Sequence, residues 1–328
     1  MKAPYFWSAG LDPRSREAAP LTRALLSPLA ALYAATTAHR QRTTRAVALP
    51  VPVICVGNVT AGGSGKTPIA AAIRAQLTSW GIRAATLSRG HGGRLTGPIQ
   101  VAPSHTHIDV GDEPAMLSRI GESWIARNRG DGGEEMVRAG VEAIVMDDGH
   151  QNPQLEKTVS LLVIDAAAPF GNGHVLPKGP LREPVQAALE RTDLVVVSGD
   201  GPVPAIVQRS GIRTIRSQLR RMTELPSGPI IAFAGIGRPE KFFASIEDGG
   251  GDLVDAMSFP DHHRYGPRDI QNLRNLAEDH GATLVTTRKD HVRLPGPLAE
   301  GILPIDVQAE FEPTTAIDDL LRGLFKAQ

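Results

Sequence analysis

The sequence predicts an α/β protein with a mostly parallel sheet covered by helices on both faces. Three observations lead to this fold class. From residue 51 onward, short apolar runs alternate with helical stretches. The first run leads into a glycine-rich loop, "GNVTAGGSGKTP" at 57–68, and a later run, "EAIVMDDGHQ", ends in two aspartates. A strand, a glycine-rich loop and a helix in succession indicate a phosphate-loop sheet of the P-loop NTPase type.

Length and composition limit the possibilities further. The 328 residues, 41% of them hydrophobic, are enough for one large or two medium domains. Thirty-five basic residues balance thirty-five acidic ones, which argues against a nucleic-acid partner. The single cysteine, Cys55, excludes a disulfide within the chain and suits a reducing cytoplasm. We interpret Cys55 as a buried strand residue.

Residues 1–46 form a basic arm with seven Lys or Arg residues against two acidic ones. Its apolar stretch is too short to span a membrane and Pro28 interrupts it. The strongest basic cluster follows the apolar part, unlike in a secretory signal. Apolar residues at helical spacing predict an amphipathic helix: Leu21, Leu25, Leu29, Leu32 and Tyr33. This helix either lies on an anionic membrane surface or docks on the protein's own core, and the residues alone leave both alternatives open.

The first alternating set follows the arm. Buried strands are predicted for "VPVICVG", "RAATLS", "IQVA", "EAIVMDD" and "VSLLVIDA". Helices are predicted near 67–80, 112–121 and 132–140, between these runs. The order of elements predicts a nucleotide-binding domain over residues 47–170.

A stretch rich in glycine and proline, residues 168–184, is the predicted domain boundary. Beyond it, strands are predicted for "TDLVVVS", "PIIAFAGI", "GDLVDAMSF", "ATLVTTR" and "GILPIDV". Helices are predicted near 183–191, 238–246, 267–279 and 313–324. We therefore expect residues 171–328 to form a second, smaller α/β domain that closes over the active site.

The glycine-rich loop departs from the usual pattern at two positions. Thr60 stands where the first glycine belongs, which is tolerable if its backbone needs no positive φ. Pro68 is tolerable because an N–H in the first turn of a helix has no intrahelical partner. Lys66 is expected to contact the β- and γ-phosphates, and the Thr67 hydroxyl to bind Mg²⁺. The predicted nucleotide-binding residues are Thr60, Ala61, Gly62, Gly63, Ser64, Gly65, Lys66 and Thr67.

Asp147 and Asp148 end a predicted strand, so at least one carboxylate faces the phosphates at the carboxyl edge of the sheet. We predict that they hold Mg²⁺ together with Thr67, and leave open which aspartate contacts the metal. Two further residues are candidates for binding substrate. Arg89, in the glycine-rich loop "SRGHGG", meets either a substrate phosphate or solvent, and Gln151 follows the aspartates. Glu113 is interpreted as an ordinary charge at a helix start.

Several stretches in order resemble the tetraacyldisaccharide 4'-kinase family, also called lipid A 4'-kinase. The loop shares the family's Gly-Asn start and its Gly-Gly-x-Gly-Lys-Thr-Pro run. Seven further stretches agree: "LSRGHGG", "VGDEPAML", "VMDDGHQN", "LPKGPLREP", "FAGIGRPEKFF", "FPDHHRY" and "TTRKDHVRL".

The resemblance implies transfer of the γ-phosphoryl group of ATP, with Mg²⁺, to the 4'-hydroxyl of an acylated glucosamine disaccharide 1-phosphate. The product would be lipid IVA, made at the cytoplasmic face of the bacterial inner membrane by a peripheral enzyme. It further implies that Asp112 is the catalytic base and that His262 raises its effectiveness. Lys66 is expected to take part in catalysis because its ammonium group neutralises charge on the transferred phosphoryl oxygens. An anionic membrane surface is then the expected partner of the arm.

Two other classes remain as alternatives. A regulatory P-loop NTPase switch or metal-chaperone ATPase would use its nucleotide to change conformation. "TRKD" at 287–290 loosely resembles the guanine-reading Asn-Lys-x-Asp signature, although its two leading residues differ. A soluble small-molecule kinase or ligase would have no need of the basic amphipathic arm.

Overall fold

The computed structural model describes residues 4–12, 14–63 and 65–325. A 3₁₀ turn, Tyr5–Trp7, precedes the helices. The helices are α1 Pro20–Thr43, α2 Lys66–Ser79, α3 His107–Val110, α4 Asp112–Leu117, α5 Arg129–Arg138, α6 Val185–Leu189, α7 Ala205–Ser210, α8 Pro239–Glu247, α9 Pro267–Asp279, α10 Arg288–His291, α11 Gly296–Ala299 and α12 Thr315–Phe325. The strands are β1 Val53–Gly57, β2 Ala84–Ser88, β3 Ile99–Gln100, β4 Ser123–Ile125, β5 Ala143–Asp147, β6 Val159–Asp165, β7 Leu194–Ser198, β8 Thr214–Arg221, β9 Pro229–Ala234, β10 Asp252–Ser258, β11 Thr283–Thr287, β12 Ile302–Ile305 and β13 Val307–Glu312.

Nine strands form the main sheet, in the order β13-β8-β7-β6-β1-β5-β2-β4-β3. The inner strands pair in parallel, and only the edge strands β3 and β13 are antiparallel to their neighbours. All five residues of β1 are buried, as continuous apolar runs in a doubly covered parallel sheet require. Because β1 lies between β5 and β6, the loop after β1 emerges beside the carboxyl ends of both strands. The predicted fold class is thereby confirmed.

Helix α2 lies across the main sheet and shares its core with α12. Ile69, Ile73 and Leu77 of α2 are fully buried, and Ile317 and Leu321 of α12 belong to the same cluster. Full burial of each aliphatic side chain contributes roughly 1.5–3 kcal/mol. The helix that follows the glycine-rich loop is therefore held rigidly on the sheet.

The second sheet has four parallel strands in the order β10-β9-β11-β12. It is inserted between β8 and β13 of the main sheet. The predicted division at residues 170 and 171 therefore does not separate the two sheets, because β7 and β8 continue the first one. The glycine- and proline-rich stretch 168–184 is a loop that folds back on the phosphate loop rather than a linker: the backbone N–H of Ala61 donates to the Pro180 carbonyl at 2.8 Å.

Helix α1 covers the predicted amphipathic stretch and contains Pro28. Its leucine face is exposed, with 81% of Leu21 and 79% of Leu25 accessible to solvent. The helix contacts the rest of the protein through polar groups: Arg23 Nη2 lies 2.8 Å from His174 Nε2, and Gln41 donates to the Gln151 carbonyl at 2.9 Å. Within the described residues, no helix is both long and apolar enough to cross a membrane.

Candidate active site

The glycine-rich loop joins β1 to α2 at the carboxyl edge of the main sheet. Gly57 is required at the start, because a Cβ atom there would lie 2.5 Å from the Cβ of His150. Gly62 and Gly65 have φ values of 130° and 78°, which favour glycine. Thr60 does not adopt a positive φ, so the absence of a glycine there causes no strain. Ser64, predicted to bind nucleotide, lies outside the described residues.

Asn58, which was not predicted, shapes the interior of the loop. Its side chain is buried, and its amide nitrogen donates to the Thr60 carbonyl at 2.9 Å and to the Gly62 carbonyl at 3.5 Å. These bonds curl the chain around the amide. The Ala61 N–H is already used by the Pro180 carbonyl at 2.8 Å, so an anion would be bound by other N–H groups of the loop. Helix α2 begins at Lys66, and its first turn leaves N–H groups without helical partners. Pro68, the third residue of α2, removes an N–H that no helical bond uses.

Lys66 and Thr67 face the two aspartates at the end of β5. Thr67 Oγ1 donates to Asp147 Oδ2 at 3.0 Å, and Asp147 Oδ1 is buried with no hydrogen-bond partner among the described residues. Asp148 has a φ of 59° and accepts from Arg182 at 2.7 Å, while Lys66 Nζ lies 3.7 Å from the same oxygen. The predicted group of Lys66, Thr67, Asp147 and Asp148 is therefore assembled in one place.

The two aspartates differ in their electrostatics. Burial raises the pKa of Asp147 to about 7, although the nearby charge of Lys66 acts in the opposite direction. Burial also acts on Asp148, but the charges of Lys66 and Arg182 outweigh it and lower its pKa. Mg²⁺ prefers oxygen ligands. The free carboxylate oxygen of Asp147 and the adjacent hydroxyl of Thr67 are two such ligands, so these residues fit Mg²⁺. No group of three or more His, Cys, Asp or Glu in the described residues forms a metal site on its own.

A second polar group joins the two sheets. Asp112 is the first residue of α4, and its Oδ2 lies 2.7 Å from Nδ1 of His262, which follows β10. His262 has a φ of 60°, a conformation that residues other than glycine rarely adopt. The neighbouring His263 instead stacks on Phe259 and contacts Asp269 at 3.0 Å. The structure thus brings the first histidine of the pair to Asp112.

Glu113 is more than a charge at a helix start. Its carboxylate pairs with Lys289 Nζ at 2.9 Å, across the two sheets. Burial raises its pKa, but the charge of Lys289, with smaller contributions from Lys66 and His262, outweighs this and lowers it. Glu113 follows Asp112 in α4, so the Asp112–His262 and Glu113–Lys289 contacts both join this helix to the second sheet.

The loop after β9 brings the second sheet directly to the phosphate loop. A Cβ atom on Gly237 would lie 3.6 Å from the Gly63 backbone nitrogen. Next to it, Arg238 Nη1 lies 2.8 Å and Lys241 Nζ 3.0 Å from Asp165 Oδ2 at the end of β6. These ion pairs fasten the second sheet over the edge of the first.

The two candidate substrate residues have different surroundings. Arg89 is exposed in the loop after β2. Gln151 is engaged within the protein, since its side-chain nitrogen donates to the Asn58 carbonyl at 2.7 Å and to Glu183 Oε1 at 2.9 Å. Gln151 therefore holds the start of the phosphate loop in place through the Asn58 carbonyl.

The stretch that resembles a guanine-reading signature, residues 287–290, forms the turn from β11 into α10 and has a structural role. Asp290 is fully buried, and its Oδ1 accepts from the Gly235 N–H at 3.0 Å and from the Tyr265 hydroxyl at 2.9 Å. A carboxylate occupied in this way cannot also read a guanine base. The observation disfavours the GTPase-like alternative.

In this chain a glycine-rich loop joins a central parallel strand to a helix and faces two aspartates at the end of the adjacent strand. These features define the phosphate-loop class of nucleotide-binding proteins, to which the chain belongs. A family model described as tetraacyldisaccharide-1-P 4'-kinase matches residues 22–325, and the chain belongs to that family.

Relatives that carry the name tetraacyldisaccharide 4'-kinase agree over nearly the full length. The chain is 56% identical over 327 residues to one from Hyphomonas neptunium, covering 99% of this chain and 98% of the relative. It is 43% identical over 334 residues to one from Rhodospirillum centenum, covering 100% and 98%. A crystal structure of the "apo" form of LpxK from Aquifex aeolicus, in complex with ATP, has a similar fold, with a TM-score of 0.74 and 24% identity over 93% of this chain and 99% of that one.

Proposed function

We propose that this protein transfers the γ-phosphoryl group of ATP to the 4'-hydroxyl of a tetraacylated glucosamine disaccharide 1-phosphate, which yields lipid IVA for lipid A synthesis. The observation that carries the proposal is the 2.7 Å contact between Asp112 and His262. Its nearness to the phosphate loop is supported by Asp261, the neighbour of His262, because a Cβ atom on Gly237 would lie 3.7 Å from Asp261 Oδ2 and 3.6 Å from the Gly63 nitrogen. A hydrolase or a switch needs a water-positioning group there, whereas a sugar hydroxyl needs an acceptor for its proton. The names of the family and of its relatives support the same reaction.

The residues divide the work of the transfer. The N–H groups of the loop and of the first turn of α2 hold the phosphates, and Lys66 neutralises charge on the oxygens of the transferred group. The 4'-oxygen forms a bond to the γ-phosphorus as the bond to the leaving ADP oxygen breaks, and the hydroxyl proton passes to the Asp112 carboxylate. His262 orients that carboxylate. Mg²⁺, held by Thr67 and Asp147, would supply further positive charge to the phosphate oxygens.

The arm fits a membrane-bound acceptor. Leu21, Leu25, Leu29 and Leu32 are all more than half exposed on α1, and Arg40 and Arg42 lie in its last turn. An exposed apolar face next to a basic cluster is typical of a helix that lies in the surface of an anionic membrane. We assign the protein to the cytoplasmic side of the inner membrane, where ATP is available, as a peripheral enzyme.

The test is direct transfer of label. Purified protein is incubated with γ-labelled ATP, Mg²⁺ and the disaccharide 1-phosphate lipid in mixed micelles, and the lipid is analysed for label. We expect labelled lipid with ATP, much less with GTP, and none with Lys66→Ala. Nucleotide hydrolysis that is independent of the lipid, with no label in the lipid, would contradict the proposal and favour the switch alternative.

A further inference from the structure

Arg293, which the sequence patterns did not single out, contacts the candidate base directly. It lies just after α10, and only 2% of its side chain is exposed. Its Nε donates to Asp112 Oδ2 at 2.7 Å, and its Nη2 lies 3.4 Å from Nδ1 of His262. A nearly buried arginine is costly unless its donors are satisfied, so this placement indicates a specific role.

The rest of the guanidinium is anchored in the second sheet. Nη1 donates to the Gly235 carbonyl at 2.7 Å and to Asp290 Oδ1 at 2.8 Å. Asp290 is itself fixed, because it also accepts from the buried Tyr265 hydroxyl and the Gly235 N–H. The fork geometry of Arg293 is therefore set before any substrate binds.

The contacts to Asp112 use only one of its two oxygens. His262 and Arg293 both bind Oδ2, and no donor among the described residues binds Oδ1. With 13% of its side chain accessible, Asp112 can offer Oδ1 to an incoming hydroxyl. Two partners on one oxygen fix the direction of the other.

We propose that Arg293 is a positioning residue for the transfer reaction: by holding Asp112 Oδ2 from an anchor in the second sheet, it aims Oδ1 at the acceptor hydroxyl. The proposal rests on the proposed function of this site. It also explains how the two sheets set the base jointly, because Asp112 belongs to the first sheet's helix and Arg293 to the second sheet's corner. A displacement of about 1 Å in such a group costs roughly a hundredfold in rate.

The charge of Arg293 has a second measurable effect. Burial raises the pKa of Asp112, but the hydrogen bond from His262 and the charge of Arg293 outweigh it, so the pKa is about 2. Other charged or titratable groups that face Asp112 are Lys289 and His107. Removal of the Arg293 charge should therefore raise the pKa of Asp112 and move the acid limb of the kcat profile to higher pH.

The experiment compares Arg293→Met, which removes charge and donors, with Arg293→Lys, which keeps the charge. We expect kcat to fall roughly a hundredfold in Arg293→Met and less in Arg293→Lys, with KM for ATP within about twofold of wild type. The acid limb of the kcat profile should move to higher pH in Arg293→Met and stay at the wild-type pH in Arg293→Lys. Arg274→Met is the matched control, since Arg274 donates to the Glu300 carbonyl at 2.9 Å, away from the site, and should leave kcat unchanged.

Without Arg293, the buried carboxylate of Asp290 has lost its cation, which could unfold the protein. The double variant Arg293→Met/Asp290→Asn removes this unpaired charge. Thermal unfolding and ATP binding are measured for the single and the double variant. A folded variant of either kind that keeps kcat within twofold of wild type, or an acid limb that does not move, overturns the proposal. If the wild type labels the lipid but a variant gives one of these two results, only the role of Arg293 is refuted. A wild type that leaves the lipid unlabelled refutes the proposed function and this role together.

Discussion

Asp112 and His262 belong to different sheets and are 150 residues apart, yet Oδ2 of one lies 2.7 Å from Nδ1 of the other. This contact exists only while the second sheet lies against the first. We therefore expect Asp112 to lose this partner whenever the two sheets separate.

Asp112→Ala and His262→Ala should each lower kcat about 100- to 10,000-fold, the usual contribution of a positioned base, with little change in ATP affinity. The double variant should be hardly worse than the worse single one, because the two residues act as a unit. Steady-state kinetics with lipid acceptor tests this. His263→Ala, which alters the adjacent ring, should retain activity; strictly additive losses, or a larger effect at His263, would contradict the pairing.

Lys66→Ala should reduce transfer roughly a thousandfold or more, because its ammonium group neutralises charge on the transferred phosphoryl group. The fold of the variant should remain intact, since the ion pair that Lys66 makes among the described residues is a long one, 3.7 Å to Asp148. Labelled transfer measures the rate and thermal unfolding checks the fold. Turnover like that of wild type would remove Lys66 from the mechanism.

Asp147 should make the nucleotide-free protein less stable as the pH rises. Its pKa is about 7 in the folded protein and 3.8 ordinarily, so between these values the folded state binds more protons than the unfolded state. Stability from this group is therefore fully present below about pH 4 and is lost as the pH rises through 7. Asp147→Asn should raise Tm by a few degrees at pH 8, and less at pH 5, while it lowers transfer.

Asp148→Asn is the matched control for this effect. Lys66 and Arg182 lower the pKa of Asp148, so its contribution to stability is present above the ordinary pKa and falls in acid. Its Tm at pH 8 should decrease rather than increase. Melting curves at pH 5 and pH 8 without metal or nucleotide decide the matter, and equal shifts in the two variants would refute the assignment. In transfer assays both variants should be weaker, with the greater loss at the aspartate that contacts Mg²⁺.

Replacement of Arg40, Arg42 and Arg45 by Gln should weaken binding to anionic vesicles roughly a hundredfold, at about 1 kcal/mol for each charge. Co-sedimentation with vesicles that contain phosphatidylglycerol measures the change, and added salt should weaken the wild type similarly. A control variant changes Arg209, Arg213 and Arg268, all exposed outside the arm, to Gln. Equal binding by all three proteins would mean that α1 does not meet the membrane.

Sequence reasoning predicted the elements with strong local patterns. Helices α2 and α9 begin within one residue of the expected positions, and a loop joins β1 to α2 where the sequence predicted one. Strand β8 was not predicted, because "TIRSQLRR" is largely polar and lies towards the edge of the sheet. Without β8, nothing in the sequence showed that the first sheet continues beyond the predicted boundary.

The site was predicted where its residues are close in the chain. Lys66, Thr67 and the two aspartates follow from motifs of the loop and of β5, whereas the partnership of Asp112 with His262 came from family resemblance. Arg293 escaped because its importance lies in contacts with residues 181 and 58 positions away. An isolated arginine after a short helix carries no local pattern that distinguishes it from a solvent-exposed one.

The return of the chain from the second sheet to the first has a consequence for synthesis on the ribosome. Strand β13 pairs with β8 along Val307–Glu312, and α12 then completes the core beneath α2. Both lie after the entire second sheet in the chain, so the phosphate-binding half cannot reach its final packing until residues 307–325 have emerged. The half that is made first therefore stays incompletely packed on the ribosome, and we expect nucleotide affinity to appear only late in translation.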